Sequence, residues 1–345
     1  MKNNIKREDL YIRQKKELNF LILIFVTFLV LYFSLKDNFN DIVNQIFNMN
    51  ILYLLLAFIM LFIFWIFRTY PMYTFCKKIN KDFKYSSSFQ LTLRTQFFNA
   101  VTPFATGGQP YQIYYLKQAG LDYASSTSVV LENFIVYQIA LVLLGIIALI
   151  SNQVFHIFSK VYLLQKLITI GFVMNTLTIV LMFVLAFSKK VSKFLITLGI
   201  TILTKLHIVK DREKKLKEWD KNITNFNESA KILLNDKSVF IFNIVCNFIA
   251  LCCLYLIPLF VLYAMGNLNA FSPGVGIVTS AYIMIIGSFV PIPGGTGGLE
   301  YGFVQFYGNF ITGGTLSAMM LVWRFITYYF GMIIGAIALN FKRVK

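Results

Sequence analysis

Charged residues are scarce in this chain of 345 residues, since only 14% are Asp, Glu, Lys or Arg whereas 57% are hydrophobic. About a quarter of the residues of an ordinary soluble domain are charged, because such a domain must cover its apolar interior with a polar surface. The deficit excludes a secreted or cytosolic globular protein. Together with a mean hydropathy of +0.67 it predicts an integral membrane protein.

Residues that support metal or nucleophile chemistry are also few, with two His and four Cys in the whole chain. The cysteines lie in or beside apolar segments without companion ligands, so packing is the favoured interpretation of each. No metal site, nucleophile triad or phosphate-binding Gly-Lys loop can be assembled from this set. We therefore predict no metal, no other cofactor and no enzymatic activity.

Long apolar runs, by contrast, are abundant. Crossing about 30 Å of hydrocarbon at about 1.5 Å per residue takes about 20 apolar residues. The first run follows Lys15 and Lys16 and lacks a small-residue cleavage site, so we interpret it as a retained span and not as a signal peptide. The all-α chain is thus predicted to have about six transmembrane helices, at residues 18–35, 51–67, 129–150, 167–187, 239–264 and 316–340.

Acidic residues are half as frequent as basic ones, 15 against 32, and the basic residues are concentrated on one side of the predicted membrane. Short loops rich in Lys and Arg stay in the cytoplasm. The distribution predicts that both termini are cytoplasmic, and the predicted location of the protein is the plasma membrane. The scattered basic residues form no folded basic face for a nucleic acid. The predicted cytoplasmic segments, which hold 26 of the 32 basic residues, are 1–16, 77–84, Lys117, 189–237 and 342–345; the first belongs to a basic N-terminal tail of residues 1–17.

The cytoplasmic segment 203–236 is predicted to be an amphipathic helix. Leu216, Ile223 and Ala230 recur at a spacing of seven, while lysines occupy the other faces. Two interpretations stay open: the helix lies on the anionic membrane surface, or it packs on the cytoplasmic face of the protein itself.

A nine-residue pattern occurs twice. Residues 103–111 and 293–301 share P-x-x-T-G-G-x-x-Y at an offset of 190, and each copy is flanked by short apolar or amphipathic segments and followed by a full span. Gly and Pro are common in membrane helices, but the matching flanks favour a true repeat. The single domain 1–345 is therefore predicted to contain a first repeat at 84–150 and a second at 272–340.

Each copy of the pattern should break a helix. Proline removes a backbone donor and paired glycines admit turn conformations, and each flanking arm is too short to span the bilayer. We predict two re-entrant helical hairpins, since non-helical backbone at membrane depth is tolerated only inside protein or beside a wet cavity. Three spans separate the hairpins, so they enter from opposite sides and form an inverted repeat, an architecture typical of transporters.

Ionisable residues inside spans are candidates for function because they are costly to insert. Glu132 and Arg324 occupy nearly equivalent depths in the two repeats and could pair with each other or contact substrate. Arg94 lies on the entry arm of the first hairpin, where it faces the polar path or reaches the cytoplasmic interface. An arginine suits a phosphate, and a carboxylate suits a cationic headgroup. Asn99, Gln109, Asn133 and Gln138 extend the predicted polar path.

These residues resemble a known family. The segments 99–111 (NAVTPFATGGQPY) and 291–300 (PIPGGTGGLE), with Glu132 and with Arg324 before Tyr328, are similar to the flippase-like family built on the transmembrane region of lysylphosphatidylglycerol synthases. The resemblance covers about residues 51–345. One departure is Asn133, where a basic residue is expected after the glutamate.

The resemblance implies a lipid translocase, flippase or scramblase-like, that moves an aminoacylated phospholipid or a glycolipid between leaflets, with a role in antimicrobial peptide resistance. Bifunctional members append a soluble aminoacyltransferase domain, whereas this chain ends soon after its last span, so lysyl transfer to phosphatidylglycerol is not expected.

The alternative function is a lipid-binding scaffold that presents lipid to a separate lipid-modifying synthase. The expected partners are membrane lipids with anionic, aminoacyl or glycosyl headgroups, and a homo-oligomer is compatible with the sequence. The predicted substrate-binding residues are Arg94, Asn99, Thr106, Gly107, Gly108, Gln109, Glu132, Gln138, Pro293, Gly294, Gly295, Gly297, Gly298, Glu300 and Arg324.

Overall fold

A computed structural model describes residues 39–158, 162–205, 213, 219, 236–287 and 289–341, and this part of the chain is helical, with no β-strand. Two pairs of helices are each joined by a short 3-10 turn, at Pro103–Ala105 and at Pro293–Gly295, and the last helix contains a π-helical segment at Phe325–Phe330. The helices are α1 Phe39–Phe47, α2 Ile51–Ile79, α3 Tyr85–Val101, α4 Gly108–Gln118, α5 Tyr123–Phe155, α6 Tyr162–Phe187, α7 Lys189–Lys205, α8 Lys237–Ala264, α9 Pro273–Gly287, α10 Gly298–Tyr307 and α11 Gly313–Asn340.

Five of the helices are long and apolar enough to cross a membrane: α2, α5, α6, α8 and α11. Each of these helices contains one of the predicted spans. The five spans predicted within residues 51–340 are therefore confirmed as helices of sufficient length and hydropathy. The predicted span at 18–35, the tail 1–17, residues 342–345 and most of the predicted amphipathic helix 203–236 lie outside the described residues. Helix α1, which packs against α11, was not predicted from the sequence.

Three of the five apolar helices begin at residues whose side chains cap the first turn. The side chains of Asn50, Asp122 and Asp236 precede α2, α5 and α8, and each accepts a hydrogen bond from a backbone N–H in the first turn. Such caps satisfy donors that the helix itself leaves free. Each of these three apolar helices thereby has a defined start.

Helices α2 and α8 form the centre of the bundle, and they pack along each other over most of their length. Their buried side chains include Leu61, Trp65 and Leu251. At one end the ammonium of Lys78 lies 3.0 Å from the carboxylate of Asp236. The hydrogen bond from Lys78 holds the pKa of Asp236 below its usual range. The end of α2 and the start of α8 therefore lie on the same side of the bundle.

Two helical hairpins form where the repeated pattern predicts them, α3 with α4 and α9 with α10. Helix α3 also packs closely on the second half of α11. Gly335 permits this approach, since a Cβ there would lie 2.7 Å from the backbone nitrogen of Phe97. The first hairpin is thus held against the last helix of the second repeat.

Candidate functional site

The turns of the two hairpins share one hydrogen-bond pattern. The hydroxyl of Thr106 donates to the carbonyl of Pro103 at 3.0 Å, and the hydroxyl of Thr296 donates to the carbonyl of Pro293 at 2.9 Å. Proline starts the turn because its φ is already suited to it. The repeat found in the sequence is therefore also a repeat of local structure.

The two residues between proline and threonine are left-handed in both turns. Phe104 and Ala105 have φ of 54° and 52°, and Gly294 and Gly295 have φ of 68° and 62°. This conformation costs an L-residue other than glycine about 1–2 kcal/mol. The first turn is therefore strained where the second is not, although both have the same shape.

The turns contact each other at the junction of the two repeats. The ring of Tyr328, in the π-helical part of α11, lies against Gly294, where a Cβ would come within 2.3 Å of it. The Tyr328 hydroxyl donates to the carbonyl of Ala100 at 3.0 Å, at the end of α3. One side chain thus contacts the second turn and bonds the first hairpin.

A buried ion pair lies beside the second turn. Nε of Arg324 is 2.6 Å from Oε1 of Glu300, with the two side chains 7% and 10% exposed. The N–H direction falls short of hydrogen-bond geometry, so the attraction is mainly coulombic. The other oxygen of Glu300 accepts from the N–H of Gly297 at 2.7 Å. Nη2 of Arg324 donates to the carbonyl of Gly294 at 3.0 Å and lies 3.4 Å from the Thr296 hydroxyl.

Of the two alternatives left open for Glu132 and Arg324, the structure does not show the pairing with each other, because Arg324 pairs with Glu300. The repeat offset placed Glu132 and Arg324 at similar depths, but depth does not specify which helix faces which. Glu132 is completely buried, and neither of its oxygens has a hydrogen-bond partner in the part of the chain that the structure describes.

The polar side chains of the first hairpin hydrogen-bond the backbone of the turn in the same hairpin. Oδ1 of Asn99 accepts from the N–H of Gly108 at 3.0 Å, and the hydroxyl of Thr102 accepts from the N–H of Gly107 at 2.9 Å. Gln109, in the first turn of α4, is partly exposed. These bonds cap the start of α4.

Arg94 lies away from the turns. It is buried, and its guanidinium donates to the carbonyls of Ala338 and Phe341, both at 2.9 Å. These carbonyls are at the C-terminal end of α11, where cationic side chains stabilise a helix. The structure therefore places Arg94 at a helix end and apart from the Glu300–Arg324 pair.

Gln138 is also separate, since its amide nitrogen donates to Asn175 of α6 at 3.1 Å. Gly298, the first residue of α10, packs against Val290. The second turn therefore brings together Pro293, Gly294, Gly295, Gly297, Glu300 and Arg324 of the predicted set, while Arg94 and Gln138 belong to other contacts.

Sequence reasoning named Asn133 but missed the rest of a polar cluster between α2, α5 and α8. Nη1 of Arg68 donates to Oδ1 of Asn133 and of Asn247, each at 3.1 Å. One turn away, the Thr74 hydroxyl bonds Oδ1 of Asn243 at 2.9 Å. The available signal was two asparagines spaced by four in the apolar run of α8, together with an arginine inside α2.

The arrangement combines two turns of non-helical backbone, an internal ion pair and asparagine and threonine side chains among apolar helices. Such a set can hydrogen-bond a polar group at membrane depth, where apolar helices alone could not. In the described ranges no three His, Cys, Asp or Glu residues are grouped as metal ligands.

Comparison with known proteins gives the chain a family. Residues 19–335 match the family model described as lysylphosphatidylglycerol synthase TM region. A protein of Archaeoglobus fulgidus named UPF0104 membrane protein is 24% identical over 306 residues, which cover 86% of this chain and 88% of the relative. With its five apolar helices, the chain is an integral membrane protein that belongs to the lysylphosphatidylglycerol synthase transmembrane-region family.

Proposed function

We propose that this protein is a lipid translocase that moves a phospholipid or glycolipid between the two leaflets. The observation that carries the proposal is the contact between two turns of non-helical backbone, one from each repeat, of which the first is exposed and the second partly buried. Broken helices that meet within a transporter supply the polar groups that a substrate needs at the membrane midplane. The acyl chains of the lipid would stay in the bilayer while the headgroup passes this junction.

The proposed topology has six spans, with the run at 18–35 as the first. Both termini are cytoplasmic, in the plasma membrane, and the hairpins α3–α4 and α9–α10 are re-entrant from opposite sides. This orientation agrees with the excess of Lys and Arg in the loops assigned to the cytoplasm. Two hairpins that enter the membrane from opposite sides should meet at their turns, and the two turns are in contact.

The residues assigned to the headgroup path are the turn segments 103–109 and 293–298, with Glu132. Glu132 is a buried carboxylate without a protein partner among the described residues, so it is suited to a cationic group of an aminoacylated headgroup. The Glu300–Arg324 pair keeps the second turn in shape through Gly294 and Gly297. The proposed activity is transport without covalent change of the lipid.

The test is reconstitution of the full chain in liposomes that carry fluorescent lipids labelled in one leaflet. Wild-type protein should accelerate exchange of an aminoacylated phospholipid or a glycolipid over protein-free vesicles. The Glu132→Gln variant, matched in size, should lose this acceleration at equal incorporation. Exchange no faster than in empty vesicles for every anionic, aminoacyl and glycosyl lipid would refute a translocase.

A scaffold that only presents lipid to a separate synthase predicts another result. Lipid would copurify with the protein and resist washing, yet leaflet exchange would stay at the background rate. Measuring retained lipid by mass spectrometry in the same preparation therefore separates binding from translocation.

A further inference from the structure

Arg68, Asn133 and Asn247 lie at the same depth in three neighbouring helices. Arg68 is eleven residues from the end of α2, and Asn133 and Asn247 are each ten residues from the start of α5 and of α8. At about 1.5 Å per residue these positions are about 15 Å from the helix ends. That distance is about half of a hydrocarbon core about 30 Å thick. We call these three residues the mid-depth cluster.

The guanidinium of the cluster is held by neutral groups. Nη1 of Arg68 uses its two hydrogens for the side-chain oxygens of Asn133 and Asn247, both at 3.1 Å. The amide nitrogen of Asn247 donates to the carbonyl of Asn243 at 2.9 Å, which turns its oxygen towards the arginine. The ring of Tyr137 lies 4.2 Å from the guanidinium carbon. The cation is therefore oriented from two helices.

The charge of this cation is not balanced by a protein carboxylate. Arg324 has Glu300 at 2.6 Å, whereas Arg68 has no Asp or Glu within ion-pair distance among the described residues. Nη2 and Nε of Arg68 bond no described protein atom, and the side chain is partly exposed. Asparagine oxygens and an aromatic ring orient a cation but do not neutralise it. An unbalanced charge at this depth is costly, so such residues usually mark a path for a charged ligand.

We propose that Arg68 is an anion-binding residue of the translocation path, and that Nη2 and Nε bind two oxygens of a phosphate group. The inference rests on the proposed function, because the phosphate is assigned to the headgroup of the lipid that is moved. A guanidinium fork matches a phosphate with two parallel hydrogen bonds. Asn133 and Asn247 hold the other edge of the fork so that this edge stays turned to the ligand.

The test measures binding by the purified full chain in detergent micelles. The probes are fluorescent short-chain phosphatidylglycerol and, as a matched ligand without phosphate, the corresponding diacylglycerol. Arg68→Gln should lower affinity for phosphatidylglycerol at least tenfold and leave diacylglycerol binding unchanged. Arg68→Lys keeps the charge without the fork and should fall between wild type and Arg68→Gln. Lys81→Gln, at an exposed position, controls for surface charge and should bind like wild type.

A second variant keeps the arginine in place. Asn133→Asp replaces the amide whose oxygen accepts from Nη1 with a carboxylate. It should therefore neutralise Arg68 and weaken phosphatidylglycerol binding as strongly as Arg68→Gln. Its thermal stability should equal or exceed that of wild type, because a buried charge gains a partner. A loss of affinity in a variant of full stability cannot be attributed to misfolding.

Inorganic phosphate as competitor separates the two sources of the anion. If replacing Arg68 weakens only the binding of phosphatidylglycerol, the bound anion is a lipid headgroup. If it weakens the competition by inorganic phosphate, the bound anion is free phosphate. Either result supports an anion site. Equal binding by wild type, Arg68→Gln and Asn133→Asp in both arms overturns the proposal. Failure of the translocase is a different result, since wild-type liposomes would then show no leaflet exchange whatever Arg68 binds.

Discussion

The hydroxyl of Tyr328 donates a hydrogen bond to the carbonyl of Ala100 at 3.0 Å and so joins two residues that are 228 positions apart. Ala100 is one residue from the end of α3, where the backbone leaves the helix for the first turn. The same tyrosine ring covers Gly294 in the second turn. The two repeats are therefore coupled at their breaks by one side chain of α11.

Tyr328→Phe removes this hydrogen bond and keeps the ring on Gly294. We expect a loss of about 1 kcal/mol in the free energy of unfolding, the net contribution of a typical hydrogen bond. Under the proposed function lipid exchange should also change, because the two turns lose their common anchor. Thermal melting in detergent and liposome exchange measure the two effects. Tyr329→Phe, at the neighbouring position, is the matched control, and an equal effect there would contradict the assigned role of Tyr328.

Gly294→Ala should destabilise the protein through both backbone and side-chain contacts. A left-handed alanine costs about 1–2 kcal/mol, and its Cβ would also lie 2.3 Å from the Tyr328 ring, which adds about 1–3 kcal/mol of overpacking. Gly313→Ala separates the two terms, because Gly313 has φ of 67° and nothing within 4 Å of the added Cβ. Equal destabilisation of the two variants in thermal melting would show that the contact with Tyr328 does not contribute to the loss of stability.

Glu300→Gln and Arg324→Gln should each destabilise strongly, because each leaves a buried partner charge without its counter-ion, at a cost of about 3–5 kcal/mol. The double variant Glu300→Gln/Arg324→Gln should lose less than the sum of the single losses. A double-mutant cycle on thermal or denaturant unfolding gives the coupling. Additive losses would mean that the 2.6 Å contact contributes little to the stability of the second turn.

Glu132→Gln should behave in the opposite way. Neither oxygen of Glu132 has a described protein partner, so a neutral amide of the same shape removes a burial cost and loses no ion pair. We expect unchanged or higher thermal stability together with loss of lipid exchange. Such a split between stability and activity indicates a group that is kept for its ligand. A strongly destabilised Glu132→Gln would instead identify the carboxylate as a structural group.

Much of the fold follows from local sequence. The long apolar runs predict α2, α5, α6, α8 and α11, because a bilayer accepts only segments that satisfy their own backbone hydrogen bonds. The repeated P-x-x-T-G-G-x-x-Y pattern places both hairpin turns, because proline and glycine set backbone conformation within a few residues. The repeat even has the same Thr–Pro hydrogen bond in each copy.

The partners of the buried charges were not predictable in the same way. Equal depth suggested that Glu132 faces Arg324, but Glu300 is the residue that the second turn brings to Arg324. Likewise Arg94 belongs to the end of α11, and Arg68 meets asparagines on α5 and α8. Spacing along one helix gives depth and face, but it contains no information about which neighbour that face meets.

The sequence by itself thus determined a membrane-embedded helical chain, its repeat, the places where the helices break and the scarcity of charge that makes each buried ion informative. Only the tertiary structure decided that Arg324 is neutralised by Glu300, that Glu132 has no described protein partner and that Arg68 is held by neutral side chains. The physical reason is the distance along the chain over which each interaction acts. Hydropathy and backbone preference act over a few neighbouring residues, whereas an ion pair depends on the packing of helices that are distant in the chain.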